Sequence, residues 1–261
     1  MLSHHQESIQ RVSAYFQQDP EVQALLLGGS LAHGFARPVS DVDVMIIVSD
    51  QDYAMRHERR QMHFFNRELC GFPEGYVDGK YIGAGILKQI ADRGSEPSRF
   101  AFLDSQIIFS HIEGLSEILQ AIVRYPVEDK EARIKRFYAQ FETWNWYAQE
   151  ALKHQNKYLL GVSISRLILF GGRLVLAHNE MLYPYHKWML RVLESAPDKP
   201  EGMLSAIQQL LDDPASENIQ RFFELVIHFR QWITPGTSWP NQFMIDSEMN
   251  WLRGESPIDD I

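Results

Sequence analysis

The chain has 261 residues, of which 45% are hydrophobic, and this is enough to build one large domain or two small ones. Its formal net charge is -9, from 34 acidic and 25 basic residues, so a basic surface for DNA or RNA is not expected. The single cysteine, Cys70, excludes an internal disulfide and fits a reducing cytoplasm. The N-terminal segment lacks the apolar centre of a signal peptide, and no stretch approaches the roughly 20 apolar residues of a membrane span. We therefore expect a soluble, cytoplasmic protein without nucleic-acid or membrane partners, and an oligomer is compatible with the sequence.

Residues 1–125 alternate between short helical patterns and short strand patterns. Apolar residues at helical spacing predict a first helix over 5–18, and Asp19-Pro20 ends it. The elements predicted after it, in chain order, are a strand in VQALLLGG (22–29), a helical turn at 30–35, a strand in VDVMIIV (42–48), a helix at 51–69, a strand running into a helix at 75–87, one or two strands at 99–110 and a helix at 114–123. This order predicts a mixed sheet covered by helices.

The composition shifts near Pro126, and long helical patterns without a clear strand follow. The predicted helices are 129–156, 157–179, 185–195, 200–212 and 216–232. The second of them is nearly apolar around its circumference, as in the central helix of a bundle, and its Gly171-Gly172 pair indicates close helix packing. Residues after Pro235 show little periodicity. The prediction is an α+β fold, with a first domain over 1–125 and a helical bundle domain with an irregular tail over 126–261.

The stretch LLLGGSLAHGFARPVSDVDVMIIVSD, residues 25–50, carries the clearest chemical pattern. Glycines after an apolar strand let the backbone approach a ligand closely. The helix start that follows points free N–H groups outward and so favours a phosphate, and Ser30 adds a hydroxyl. Asp41 and Asp43 are two residues apart on an extended segment, so their side chains project from the same face. Two carboxylates on one face repel each other unless a hard cation lies between them. Mg²⁺ fits, because proteins bind it through one or two carboxylates together with phosphate oxygens of the substrate. The pattern predicts a site for a metal-bound triphosphate.

The segment GGSLAHGFARPVSDVDVMII resembles the signature of the DNA polymerase beta nucleotidyltransferase superfamily. Gly29-Ser30 and Asp41-x-Asp43 match that signature, and the two-domain size resembles the branch that adenylylates aminoglycosides or lincosamides. The resemblance implies transfer of a nucleoside monophosphate from a nucleoside triphosphate to a hydroxyl or amine of a small-molecule acceptor, with release of pyrophosphate. It also implies that Gly29 and Ser30 hold the terminal phosphates and that two Mg²⁺ ions are held by carboxylates.

The mechanism of this superfamily needs a third carboxylate, for which the sequence offers two candidates. Asp78 lies in YVDGKYI, an apolar and aromatic strand pattern in which an acid without a partner would be costly. The alternative for Asp78 is a turn, since Asp-Gly is a common hairpin dipeptide. Asp104 in FAFLDSQIIF is the rival, and it fits better as the acid that opens the last strand. We predict that Asp41, Asp43 and Asp78 are the metal-binding and catalytic acids.

Three basic residues are candidates for contacts with phosphate. Lys187 lies in YPYHKWML, and the resemblance suggests that this Lys-Trp pair faces the cleft, with Lys187 on a phosphate of the triphosphate. A solvated lysine on an amphipathic helix is the alternative. Lys80 could balance the acids and Arg37 could touch a phosphate, but an exposed strand lysine and a surface arginine explain these two equally well or better.

A general base for the acceptor would be an acid of the second half. Glu142 and Glu150 could share a helix face, although surface glutamates are the simpler interpretation. His33 could contact the nucleotide. The sequence identifies neither the acceptor nor the preferred nucleotide. Three alternatives stay open: a nucleotidyltransferase that adenylylates a protein, as an antitoxin would, a catalytically inactive nucleotide-binding module, and an RNA-tailing enzyme, which the acidic balance disfavours.

Overall fold

The computed structural model describes residues 1–236 and 238–254, and the chain divides into two compact units, Met1–Arg124 and Tyr125–Ile261. The sequence prediction placed the division after residue 125. Each unit has its own secondary structure and its own buried residues.

The first unit combines helices with five strands. Its elements, in chain order, are α1 (Ser3–Phe16), β1 (Val22–Leu27), α2 (Gly29–Ala32), β2 (Val42–Val48), α3 (Asp50–Glu58), β3 (His63–Asn66), β4 (Val77–Gly83), α4 (Ala84–Arg93), α5 (Glu96–Phe100), β5 (Gln106–Ser110) and α6 (Leu115–Val123). The strands form one sheet in the order β3-β4-β2-β1-β5. β2 and β4 are parallel and the other neighbours are antiparallel, so the predicted mixed sheet is confirmed.

The strand directions bring several strand ends to one end of the sheet. Leu27, the last residue of β1, pairs with Val44 near the start of β2 and with Gln106 at the start of β5. β4 runs parallel to β2, so it also starts there. The loops that precede or follow these strands therefore lie close together, and this is where Asp41, Asp43 and Asp78 lie.

Both faces of the sheet are covered by helices, because successive side chains along β2 point to opposite sides. Val44 packs in one buried cluster with Phe16 of α1. Met45 packs in a second cluster with Leu87 of α4 and Ile122 of α6. Burial of each large apolar side chain contributes about 1.5–3 kcal/mol. The two clusters hold the sheet rigidly behind the strand ends.

The structure corrects the predicted helix at 51–69. α3 ends at Glu58, and Arg60 adopts a left-handed φ of 56°, which turns the chain. His63–Asn66 then forms the edge strand β3, in which exposed and half-buried residues alternate. Four residues are too few for that alternation to stand out against the helical spacing around it.

The segment 99–110 is also corrected in part, since a helix takes the place of the first possible strand. α5 begins after Ser95, whose hydroxyl accepts a hydrogen bond from the Ser98 N–H at 3.4 Å, and it has Pro97 in its first turn. β5 follows as the only strand of this segment.

The second unit is helical throughout its described residues. It contains α7 (Lys130–Lys153), α8 (Lys157–His178), α9 (Met189–Ser195), α10 (Met203–Asp212), α11 (Ser216–Ile227) and α12 (Trp239–Ser247), with short 3-10 turns at Val127–Asp129, His186–Trp188 and Asn250–Arg253. The predicted fold class, an α+β domain followed by a helical region, is confirmed. α12 corrects the expectation of an irregular tail after Pro235: Pro240 lies in its first turn and Phe243 is buried.

α8 is long and apolar enough, by length and composition alone, to cross a membrane. It has 22 residues, and its most apolar 18-residue window has a mean hydropathy of 1.7. This corrects the expectation that no stretch approaches such a length. Half of the window is buried inside the protein, and a core helix passes the same test.

Gly171 allows close packing of α8 against its neighbours. A Cβ at this position would lie 2.9 Å from Cε2 of Phe141 on α7 and 3.0 Å from Cζ of Phe222 on α11. Both phenylalanines are fully buried, so their rings have little room to move. The close packing predicted from the Gly171-Gly172 pair is confirmed.

We predict opposite effects for two Gly→Ala changes on α8. Gly161→Ala should raise the free energy of unfolding by about 0.5–1 kcal/mol, because a Cβ there meets no atom within 4 Å and alanine favours the helix. Gly171→Ala should lower it by about 1 kcal/mol, since overpacking outweighs that gain. Urea unfolding measures both. An equal gain in the two variants would contradict the packing role of Gly171.

Candidate functional site

The turn between β1 and α2 is fixed to the start of β2. The backbone N–H of Gly28 donates to the backbone carbonyl of Asp43 at 2.9 Å, which continues the pairing of β1 and β2 beyond the last residue of β1. The Gly-Gly-Ser turn therefore lies directly beside the acid pair.

The Asp43 side chain occupies the space that a side chain at position 29 would need. A Cβ on Gly29 would lie 2.6 Å from the Cβ of Asp43 and closer still to its carboxylate, and the φ of Gly29 is +59°. Any other residue at position 29 would be strained and would displace the carboxylate. Glycine is therefore required at this position by both backbone conformation and contact.

Ser30 is buried next to this contact. The residue is only 6% exposed, and its hydroxyl has no hydrogen-bond partner among the described residues. A buried polar atom without a partner is costly, and such atoms in native proteins call for an explanation. A phosphate oxygen that reaches the turn would supply the missing partner.

Asp43 and Asp78 are direct neighbours across parallel strands. The register pairs Asp43 of β2 with Asp78 of β4, and side chains of paired residues point to the same face. Adjacent strands lie about 4.8 Å apart, so the two carboxylates start from close positions. Asp41 immediately precedes β2 and lies two residues before Asp43, on the same face. All three acids are half-buried.

Tyr76 is a site residue that sequence reasoning missed. Its hydroxyl hydrogen-bonds to the Asp41 carboxylate, and this bond is the main reason why the pKa of Tyr76 is raised. The negative charges of Asp41, Asp43 and Asp78, together with partial burial, raise it further. Tyr76 also stands two residues before Asp78, on the same side of the extended chain, and that spacing was the available signal.

His63 is the second missed residue. Its Nε2 lies 2.9 Å from Oδ1 of Asp78, and both side chains are partly exposed. His63 belongs to β3, which pairs with β4. Because the sequence pattern indicated a helix over 51–69, nothing pointed to a contact across the sheet.

Lys80 lies on the same face as the acids, two residues after Asp78 on β4. The residue is solvent-accessible, yet the protein that surrounds its side chain lowers the pKa of the ammonium group by desolvation. The charge of Asp43 acts in the opposite direction and favours the protonated form. Lys80 is therefore a basic group close to Asp43, and its charged form is disfavoured by desolvation and favoured by that acid.

The donor set fits Mg²⁺ that arrives with a phosphate ligand. Within residues 1–236 and 238–254, no group of three or more His, Cys, Asp or Glu side chains is gathered closely enough to hold a metal by itself. Asp41 instead bonds to Tyr76, and Asp78 to His63. Mg²⁺ needs only one or two carboxylates when phosphate oxygens complete its octahedron, and the hard oxygen donors here suit it.

Asp104 lies at the other side of this sheet end. It precedes β5, which is separated from β2 by β1, and its Oδ2 lies 3.3 Å from Nδ1 of His33. The His33 ring also lies 4.8 Å from the ring of Phe100. By strand order, Asp78 and not Asp104 is the neighbour of Asp43.

The remaining predicted residues belong to the second unit. Lys187 lies on the 3-10 turn His186–Trp188, with Nζ 5.0 Å from the Trp188 ring centroid. Glu142 accepts a hydrogen bond from the Tyr138 hydroxyl at 2.8 Å, and Glu150 lies near Lys153 and His154. Their predicted roles at a phosphate or as a base stay predictions.

Comparison with known proteins finds a family model that is similar to part of the first unit. Residues 10–70 match the family model described as Polymerase beta, Nucleotidyltransferase. The match includes the Gly-Gly-Ser turn and Asp41 and Asp43, and it ends before Asp78. Residues 10–70 of the N-terminal unit are thus similar to polymerase beta-type nucleotidyltransferase domains.

A similar solved structure is that of a nucleotidyltransferase-like protein from Exiguobacterium sibiricum. It has 10% sequence identity and a TM-score of 0.48, and the alignment covers 95% of this chain and 79% of that chain. No match was found among curated proteins.

We predict that Tyr76→Phe lowers the free energy of unfolding by about 1 kcal/mol near pH 8, because the phenol no longer donates to the Asp41 carboxylate. Tyr53→Phe is the matched control, since the half-buried Tyr53 of α3 makes no hydrogen bond through its hydroxyl to the described residues. Chemical unfolding of both variants measures the difference. An equal loss in the two would contradict the role of the Asp41 bond.

The stabilisation by Tyr76 should depend on pH in a definite direction. Its pKa is raised in the folded protein, so the phenol keeps its proton where the unfolded chain loses it. The advantage of the wild type over Tyr76→Phe should be constant up to about pH 10 and should decline as the pH rises through the folded-state pKa. An advantage that grew above pH 10 would contradict this assignment.

Proposed function

We propose that this protein transfers a nucleoside monophosphate from a nucleoside triphosphate to a hydroxyl or amine of a small-molecule acceptor in an Mg²⁺-dependent reaction. The observation that carries the proposal is the buried Ser30 hydroxyl without a partner, on a turn in contact with Asp43, whose neighbour across the sheet is Asp78. This combination supports a triphosphate on the turn and divalent metal at the acids.

Each residue has a role that follows from its position. Gly29 has no side chain, so the phosphates can approach the backbone of the turn. Ser30 donates its hydroxyl to a terminal phosphate oxygen. Asp41, Asp43 and Asp78 would hold Mg²⁺, which supplies charge neutralisation for the attacking and leaving oxygens. When phosphate and metal bind, Asp41 would exchange its bond with Tyr76 for a metal contact.

The proposed reaction is an in-line displacement at the α-phosphorus. The acceptor oxygen or nitrogen forms a bond to the α-phosphorus, and the bond from that phosphorus to the bridging oxygen breaks. Pyrophosphate leaves with the electron pair, and the acceptor proton passes to a base. Lys187 is our candidate for a further phosphate contact, as a compact point charge.

A screen of acceptors tests the proposal. The purified chain is incubated with Mg²⁺ and each of ATP, GTP, CTP and UTP, with aminoglycosides, lincosamides and other amine- or hydroxyl-bearing compounds, and transfer is detected by mass and by pyrophosphate release. Transfer only to a protein would replace the small-molecule acceptor with a protein acceptor. Binding of nucleotide without any transfer would indicate an inactive binding module.

We predict that Asp43→Asn reduces pyrophosphate release on the order of a hundredfold or more, because loss of a metal ligand should exceed the typical loss from an outer-shell residue. Asp104→Asn is the matched control, since Asp104 lies beside His33 across the sheet end, and it should retain activity within a few-fold. Circular dichroism checks that both variants fold. Equal losses in the two variants would contradict the metal role of Asp43.

We also predict that Ser30→Ala separates stability from binding. Removal of the unpaired buried hydroxyl should raise the stability of the nucleotide-free protein by about 1 kcal/mol. The same change should reduce the rise in Tm that Mg²⁺ and nucleotide produce in the wild type. Ser163 on α8 is equally buried and its hydroxyl also lacks a described partner, so Ser163→Ala is the matched control. It should stabilise the protein without changing the nucleotide effect, and an unchanged nucleotide effect in Ser30→Ala would contradict the phosphate contact.

A further inference from the structure

We propose that the second unit carries a binding site for a small organic cation, such as a substituted ammonium compound. The site is a cavity of about 590 Å³ formed by α7, α8, α12 and the 3-10 turn that follows α12. Five aromatic residues line it: Trp144, Tyr147, Tyr158, Phe243 and Trp251. We call this cavity the aromatic cavity. Its size and lining are typical of small-molecule sites. The proposed cation site does not depend on whether the protein catalyses nucleotidyl transfer.

Part of the aromatic lining is held in place by packing and hydrogen bonds. The ring centroids of Trp144 and Tyr147 are 5.4 Å apart, and that of Phe243 lies 6.1 Å and 6.2 Å from them. Nε1 of Trp144 donates to Oε1 of Gln140 at 3.0 Å, and Nε2 of Gln140 donates to Oγ of Ser247 at 2.8 Å. This chain of bonds ties α7 to α12 and fixes the orientation of the Trp144 ring.

The other two aromatic residues of the cavity are unusually exposed. Tyr158 is 83% exposed and Trp251 is 58% exposed. Large aromatic side chains are buried on average, and exposed apolar surface around a cavity is typical of ligand sites. Ring surface at the aromatic cavity is therefore available to a ligand.

The charge of the lining favours a cation over a neutral or anionic ligand. Glu248 lines the cavity, and its carboxylate has no ion-pair partner among the described side chains. The described lining side chains include neither lysine nor arginine. Aromatic rings attract cations to their faces, and an adjacent carboxylate adds to that attraction. The combination of several aromatic residues and one acid is that of a site for a substituted ammonium group.

One of these rings, that of Trp144, already lies near an arginine of the protein. The guanidinium carbon of Arg166 on α8 lies 5.8 Å from the Trp144 ring centroid. This distance is within the range of a cation–π contact, so the Trp144 ring attracts positive charge within the protein itself. Arg166 itself is not part of the described lining, and the remaining rings have no such partner among the described arginines and lysines.

The aromatic cavity is separate from the predicted phosphate contact in the same unit. Tyr158 lies at the start of α8, and Gly172 lies fourteen residues further along the same helix. Gly172 marks the position of the Lys187 turn, because Met189, which follows that turn, lies against it. At 1.5 Å per residue, the fourteen residues span about 21 Å along the helix axis. A ligand in the cavity is thus distinct from a phosphate at Lys187.

Isothermal titration of the full, nucleotide-free chain with choline chloride tests the proposal, and 3,3-dimethylbutan-1-ol is its neutral isostere. We expect choline to bind about tenfold or more tightly than the isostere. Trp251→Ala and Glu248→Gln should each weaken choline binding by about tenfold. Glu194→Gln, at an exposed acid of α9 outside the cavity, is the matched control and should leave it unchanged.

Two results would overturn the proposal. The first is equal affinity for choline and the isostere, or no binding of either at millimolar concentrations. The second is choline binding that Glu248→Gln and Glu194→Gln weaken equally, which would indicate attraction to the overall negative charge. Circular dichroism of each variant checks folding, and Glu248→Gln changes only an exposed side chain. Because no nucleotide is present, failure here and failure of nucleotidyl transfer are distinguishable.

Discussion

The Asp43 side chain occupies the space that a Cβ at position 29 would need, and this is the constraint on which the candidate site depends. It requires glycine in a left-handed conformation, and this conformation sets the direction in which Ser30 enters α2. The hydrogen bond from Gly28 to the Asp43 carbonyl fixes the same two segments through the backbone. Turn and acid are therefore positioned by one another, and neither depends on a long or mobile side chain.

The electrostatics of the site explain why its acids are arranged as they are. Two carboxylates about 5 Å apart repel each other by about 1–3 kcal/mol when the effective dielectric constant lies between 80 and 20. Tyr76 and His63 each provide a donor to one acid, and Lys80 adds a nearby positive charge. The tyrosine hydroxyl carries no charge, and the three carboxylates outnumber the one lysine beside them, so negative potential remains at the strand ends. That potential is what a divalent cation would neutralise.

Sequence reasoning found the parts of the site that depend on local spacing. The alternation in VDVMIIV, the glycines of the turn and the spacing of Asp41 and Asp43 are all properties of one short segment, and the mixed sheet followed from the order of the apolar runs. The contacts of Tyr76 and His63 depend on the register between β4 and its neighbours, which no single segment specifies. His63 was hidden further by a false helix, since a four-residue edge strand has no pattern of its own.

The second unit shows the same limit in its aromatic residues. A helical pattern predicts that a ring lies on the apolar face, but it does not tell whether the ring fills the core or lines a cavity. Phe141 and Phe222 fill the core, and they do so because Gly171 leaves room for them. Tyr158 and Trp251, by contrast, leave most of their surface to solvent.

Selection for stability alone would replace the unpaired hydroxyl of Ser30 with a methyl group, and it would gain nothing from rings that stay exposed around a cavity. Each unit therefore keeps groups that the rest of that unit leaves without a partner, a buried hydroxyl in one and exposed rings in the other. The unpaired buried hydroxyl lowers the stability of the protein without a ligand, whereas the exposed rings leave apolar area unburied, and in both cases a ligand that completes the missing contacts would stabilise the folded protein. A phosphate oxygen would complete the buried hydroxyl of the first unit, and a cation would cover the exposed rings of the second.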